Sequence, residues 1–293
     1  MRAYRYLFGP VPSRRLGLSL GVDLLVPKTC IYDCIFCEVG RTTRLTLERR
    51  EYAPVAAIEK ELADWLKGGG TADYITVAGS GEPTLHSRFG DVLAAIRRLC
   101  SIRSCLLTNG SLLYLPEVRA AAAEADVVKV SLSAWDKASF QAVNRPHAGL
   151  TFRKLLAGLR AFRKEYPGEL WLEVVLVAGV NDSPAGVRRI AELAAGIRPD
   201  RIHLNTVARP PAVPEARAVP RAKLEKWRRL FRPEAEVVAG FAPDAGRAEG
   251  IRAYQTFLRG LLDITDNLDA DNNVVRPPAV IAHEGDDPYL VVA

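Results

Sequence analysis

Three cysteines constrain this chain more than anything else in it. Cys30, Cys34 and Cys37 stand in Cys-Ile-Tyr-Asp-Cys-Ile-Phe-Cys at spacing Cys-x3-Cys-x2-Cys. A zinc site wants four ligands, and no nearby fourth Cys or His completes this group. Disulfides would place the chain in an oxidising compartment, and buried structural cysteines need no such spacing. Electron-transfer iron–sulfur clusters usually take four cysteines. A close set of three therefore points to a [4Fe–4S] cluster whose fourth iron has an open coordination position. Cys100 and Cys105 lie far downstream in apolar surroundings and read as core residues.

The chain of 293 residues is long enough for one large domain, and its 48% hydrophobic share can fill a substantial core. No apolar run approaches the roughly 20 residues of a membrane span, and Met1–Tyr6 lacks the apolar centre of a signal peptide. A cytoplasmic protein is expected, with no membrane partner; the oligomeric state is not readable. The net charge of +6 is uneven. Residues 259–293 hold two basic and seven acidic side chains, so residues 1–258 carry +11. A basic body suits an anionic partner such as RNA, with Arg14, Arg15, Arg41 and Arg209 as candidate phosphate contacts.

After a Pro- and Gly-punctuated lead-in over 8–17, Leu18, Leu20, Val22 and Leu24 alternate with small or polar residues. That is the period of a strand, and the cysteine loop follows it directly. A helix from Pro54 with a Val55, Ile58, Leu62, Trp65 face comes next, closed by Gly68-Gly69-Gly70. Strands then recur at 74–78, 104–107, 127–132, 171–177 and 201–204, with helical faces after each. Alternating strand and helix argues for a parallel sheet with right-handed crossovers. A complete eight-unit barrel takes about 250 residues. Six units over residues 18–231 predict an α/β fold, a partial and open (β/α)6 TIM-like barrel, with ligands at the C-terminal strand ends.

Polar and Gly-containing stretches sit at those ends. Gly79-Ser80-Gly81-Glu82-Pro83-Thr84 follows the second strand, where glycines permit close backbone approach and a carboxylate can accept from an ammonium group. Thr108-Asn109-Gly110, Ser131-Leu132-Ser133, Asn144-Arg145-Pro146-His147, Ala178-Gly179-Val180-Asn181-Asp182 and Asn205 to Pro211 follow the later strands. His203 reads as a strand residue without a site role.

Over residues 8–238 the sequence resembles the radical S-adenosylmethionine (SAM) superfamily. The resemblance implies that SAM chelates the open iron and that one-electron reduction cleaves it to methionine and a 5'-deoxyadenosyl radical. It also implies a flavodoxin- or ferredoxin-type reductant. Cys30, Cys34 and Cys37 would ligate the cluster; Gly79, Ser80, Gly81 and Glu82 would hold the SAM amino group. The match extends to Asn109 at the third strand end; the Ser131 and Ser133 hydroxyls would reach the ribose, Phe36 and Val180 would lie against the adenine, and Asn205 would contact adenine or substrate. Relatives often carry an acidic residue where Ser133 stands. Gly9-Pro10-Val11-Pro12-Ser13-Arg14-Arg15 and Gly81-Glu82-Pro83-Thr84-Leu85 are most similar to the group related to wyosine-type tRNA-modification enzymes, although no second cysteine cluster is present.

Residues 249–267 and 286–293 are similar instead to large bacterial NAD-dependent glutamate dehydrogenases, without the lysine-bearing catalytic segments or a Gly-rich dinucleotide loop. The expected organisation is a radical SAM core over 1–240 and an appendage over 241–293, a helix plus an acidic, loop-like tail, read as a grafted fragment. Two rivals stand beside the radical SAM enzyme: a glutamate dehydrogenase fragment, and a non-catalytic iron–sulfur or RNA-binding protein.

Overall fold

Residues 4–13, 15–25 and 28–238 are described by the computed structural model. The appendage over 241–293 and Arg14 lie outside the described residues. An edge strand β1 (Leu7–Ser13) pairs antiparallel with β2 (Gly17–Asp23). The cysteine loop carries two short strands, β3 (Thr29–Cys30) and β4 (Arg44–Leu45), paired only with each other. Then come α1 (Val55–Lys67), β5 (Tyr74–Ala78), α2 (Phe89–Leu99), β6 (Arg103–Leu107), α3 (Pro116–Ala122) and β7 (Val127–Ser131). The chain continues through α4 (Lys137–Asn144), α5 (Phe152–Glu165), β8 (Glu169–Leu176), α6 (Pro184–Ile197), β9 (Arg201–Thr206), α7 (Arg221–Trp227) and β10 (Glu236–Val237). The main sheet runs β1-β2-β5-β6-β7-β8-β9-β10 and is parallel from β2 onward. Its edges are β1 and β10, so the curved sheet is an open barrel. Among the described residues no helix is long and apolar enough to cross a membrane.

The six predicted strands are β2 and β5 to β9. The lead-in is the main departure, because it forms β1 despite Gly9, Pro10 and Pro12. Proline is tolerated at a sheet edge, where one side of the strand has no ladder to complete. The helix α4 is likewise absent from the periodicity reading. It starts at a capping box in which Asp136 accepts from the Ser139 amide at 2.8 Å and Ser139 Oγ accepts from the Asp136 amide at 3.0 Å. Only Phe140 and Val143 give it a large apolar face, too little for a helical pattern.

The tip between β1 and β2 enters the barrel floor. Ser13 Oγ accepts from the amides of Arg15 and Leu16 and shapes the turn. Leu16 packs with Cys105, Val127 and Trp171 to plug the interior. Arg15 points to the buried Glu173 carboxylate, as does Lys129 at 2.5 Å, and Asn205 Nδ2 donates to the same group at 3.1 Å. Burial, and the nearby Arg15, Lys129 and Arg201 charges, push the His203 imidazole down to about 3. It therefore stays neutral, edge-on to Trp171, as a strand residue of the floor.

Removing one partner of a buried ion cluster leaves charge without compensation and typically costs about 3–5 kcal/mol. Glu173→Ala should lose that much in urea unfolding. Glu173→Gln, which keeps an acceptor but not the charge, should fall between it and the wild type.

Candidate active site

One cavity of about 200 Å³ opens at the C-terminal strand ends. Among its lining residues are Cys30, Cys34 and Cys37 from the loop after β2, and Gly79, Gly81 and Glu82 after β5. Asn109 after β6, Ser131 at the end of β7, Glu173 and Val175 of β8, and Asn205 of β9 complete the wall with Phe36. The structure brings ten of the expected site residues here: Cys30, Cys34, Cys37, Phe36, Gly79, Gly81, Glu82, Asn109, Ser131 and Asn205. Three others stand apart. Ser80 is buried behind the loop, where its hydroxyl donates to Asp23 at 2.7 Å. Ser133 is buried with its hydroxyl accepting from the Val175 amide, and Val180 is 39% exposed on the surface. Ser133 lies past the end of β7, and its hydroxyl is taken up by the Val175 amide of β8 instead of the cavity.

The cysteine loop is shaped by partners distant in sequence. Asp33 and Ile35 amides donate to the Asn144 and Val143 carbonyls at the end of α4, and the His147 amide donates to the Ile31 carbonyl. Arg145 closes α4 in the left-handed region at φ 44°. Of Asn144–His147, only Asn144 reaches the cavity, and its Nδ2 donates to Cys34 Sγ at 3.4 Å. Asn109 Nδ2 and the Tyr32 amide donate to Cys30 Sγ at 3.7 and 3.5 Å. Lys28 Nζ donates to Cys37 Sγ at 2.8 Å. Sequence reasoning passed over Lys28, since a lysine two residues before a cysteine carries no spacing signal.

Glu82 joins three segments. Its Oε1 accepts from Thr84 Oγ1 at 2.5 Å, Thr108 Oγ1 at 2.6 Å and the Thr84 amide at 3.1 Å. Its Oε2 accepts from the Asn109 amide at 2.7 Å. Burial pushes the carboxyl up, against these hydrogen bonds. The Glu82 amide donates to the Thr29 carbonyl, which docks the loop on the start of the cysteine segment. Asp23, whose carboxyl burial raises to about 6, accepts from the Ser80 amide and hydroxyl and packs beneath Gly79.

The donor set suits an iron–sulfur cluster. All five cysteines are unpaired thiols. Burial pushes the Cys30 thiol up to about 12 and raises Cys34 further, and a cation bound at the sulfur favours the thiolate by displacing its proton. Among the described residues no three His, Cys, Asp or Glu side chains converge on a single ion. A cluster instead presents separate irons, one to each thiolate. The Tyr32 hydroxyl, buried in the wall, has no hydrogen-bond partner among the described residues, as expected of a surface that meets a ligand.

A Cβ on Gly81 would lie 1.7 Å from the Thr29 carbonyl oxygen, a backbone atom that cannot swing aside. Gly81→Ala is expected to push the loop off the cysteine segment and to cost about 1–3 kcal/mol in thermal or urea unfolding. A wild-type unfolding curve would refute this close docking.

Residues 24–227 match the radical SAM superfamily, and residues 235–293 match the catalytic domain of bacterial NAD-glutamate dehydrogenase. The chain is 36% identical over 244 residues to a GTPase Obg of Brachyspira hyodysenteriae, covering 83% of this chain but 36% of that protein. It is 38% identical over 208 residues to a UPF0026 protein of Helicobacter pylori, covering 70% of this chain and 67% of the relative. The solved structure of TYW1 with a lysine-pyruvate adduct bound superposes with a TM-score of 0.57 at 16% identity, over 78% of this chain and 76% of that one, and shares its partial TIM-barrel fold. Three cysteines at one end of an open six-unit barrel, matched along most of the described residues, place this chain in the radical SAM superfamily and, within it, among the UPF0026 proteins.

Proposed function

We propose that this enzyme reductively cleaves SAM at a [4Fe–4S] cluster held by Cys30, Cys34 and Cys37. The observation that carries the reading is the gathering of three half-buried thiols, each met by an N–H donor, beside a polar loop fixed at the same strand ends. Cys30, Cys34 and Cys37 would hold the cluster, which, given an electron by a flavodoxin- or ferredoxin-type protein, would supply reductive cleavage of SAM to methionine and a hydrogen-abstracting 5'-deoxyadenosyl radical. The protein's part is to orient and to exclude water.

Glu82 is the group we assign to the SAM ammonium. Its Oε1 accepts from three donors, whereas Oε2 accepts from the Asn109 amide, and the residue lines the cavity. Gly79 and Gly81 bring backbone against the ligand. Ser131, Asn109, Asn205 and Phe36 are assigned to the nucleoside; Ser80 acts only through Asp23.

An RNA substrate is supported by the charge of +11 on residues 1–258. The arginines chosen for it contribute less than their sequence suggests. Arg15 is buried against Glu173, and Arg209 is buried 2.5 Å from Glu38. Arg41 is exposed beside Asp33. The dehydrogenase-like tail we read as a graft, because the match spans 59 of 293 residues and brings no dinucleotide loop. A chain ending at Ala245 should keep its cluster.

Anaerobic reconstitution should give about four irons per chain. Cys30→Ala, Cys34→Ala and Cys37→Ala should each lose them, while Cys100→Ala and Cys105→Ala keep them. Dithionite and SAM should then yield 5'-deoxyadenosine from the wild type; its absence would leave a non-catalytic iron–sulfur protein. Glu82→Gln removes a charge-assisted hydrogen bond of about 1.5–3 kcal/mol, so SAM affinity should fall at least about tenfold with the iron intact. Binding to tRNA should weaken steeply as salt rises; no binding at low salt would favour a small-molecule or peptide substrate.

A further inference from the structure

The three cysteine sulfurs are not treated alike by the wall around them. Cys30 and Cys34 receive neutral amide donors at 3.4–3.7 Å, near the outer limit for sulfur. Cys37 receives the Lys28 ammonium at 2.8 Å. That lysine is 6% exposed and held from several sides. Its amide donates to Thr43 Oγ1 at 2.9 Å, its carbonyl accepts from Thr43 Oγ1 and the Arg44 amide, and its ammonium also donates to the Gly40 carbonyl. The segment 37–40 thus wraps around the ammonium, with Gly40 at φ +96° closing the turn.

A buried ammonium is costly unless it is paired and hydrogen-bonded. Here its charge is answered by a sulfur and a carbonyl. Hydrogen bonds to sulfur and local net charge are among the factors that set a cluster's potential. A fixed positive charge beside one ligand favours the state with one more electron, and it does so more strongly in a low-dielectric wall than in water. Neutral amides at longer range act in the same sense but more weakly.

We propose that Lys28 is a positioning residue that raises the cluster's reduction potential through its charged hydrogen bond to Cys37. The inference rests on the reading that Cys30, Cys34 and Cys37 hold a [4Fe–4S] cluster. It gives the site an electronic asymmetry: the Cys37 corner best accommodates the added negative charge. The corresponding consequence is that a milder one-electron donor suffices to load the cluster.

The test is an EPR-monitored redox titration of the anaerobically reconstituted full chain, with iron counted first. Lys28→Met should keep about four irons and be harder to reduce by about tenfold in the reduction equilibrium, which is 59 mV for a one-electron couple. Lys28→Arg, which restores a charged donor, should recover most of that change. Lys137→Met, at an exposed lysine of α4, should titrate as the wild type does. An unchanged potential in iron-loaded Lys28→Met would overturn the proposal. So would a loss of SAM affinity without a change of potential, which would assign the ammonium to SAM instead. If Lys28→Met fails to hold iron, Lys28→Gln and Lys28→Arg decide, and equal potentials for that neutral and charged pair overturn it. A wild-type chain that takes up no iron refutes the cluster reading itself, before any potential is measured.

Discussion

A single buried carboxylate, Glu82, ties together the parts of the site that the barrel delivers separately. Its four hydrogen bonds come from Thr84 in its own loop and from Thr108 and Asn109 at the end of β6. Through Asn109 the connection continues to the Cys30 sulfur, and through its own amide to Thr29. Burial costs a carboxylate much of its solvation, and several short donors are what make the position tenable. Strand ends in a parallel barrel are only neighbours. This carboxylate converts adjacency into fixed distances between the cysteine loop, the Gly79–Gly81 backbone and the cavity wall.

The floor of the same cavity is organised by charge as well. Glu173 accepts from Arg15, Lys129 and Asn205 above an apolar plug of Leu16, Cys105, Val127 and Trp171. Buried ion pairs contribute little net stability, and in some proteins they favour one arrangement over its competitors. Here the arrangement specified is the insertion of the β1–β2 tip. An arginine that reads in sequence as a surface phosphate contact is therefore an internal strut.

Much of this was legible. Period-two alternation in Leu18–Leu24 and apolar runs at 74–78, 127–132 and 171–177 located the barrel strands, because parallel strands buried on both faces have little freedom of composition. The Cys-x3-Cys-x2-Cys spacing and Gly81-Glu82 located the cavity. What escaped were features fixed by tertiary partners. β1 hides behind Gly9, Pro10 and Pro12, since edge position, not propensity, makes it a strand. α4 is short and weakly amphipathic, yet its last carbonyls shape the cysteine loop. Ser133 and Val180 sit at strand ends in the sequence, but a turn of the backbone sends one into the core and the other to the surface. Which side of a loop faces a ligand is not a local property.

The hydrogen bonds from Asp33 and Ile35 to the end of α4 also bear on how the protein is assembled. In small zinc domains, metal binding and chain folding are one event, and a chelator unfolds the chain. Here the cysteine loop is already held by backbone partners from another unit of the barrel, and the large core behind the sheet owes nothing to iron. Such a loop is expected to keep its backbone course with or without a bound cluster, so that cofactor insertion need not be the event that folds the chain.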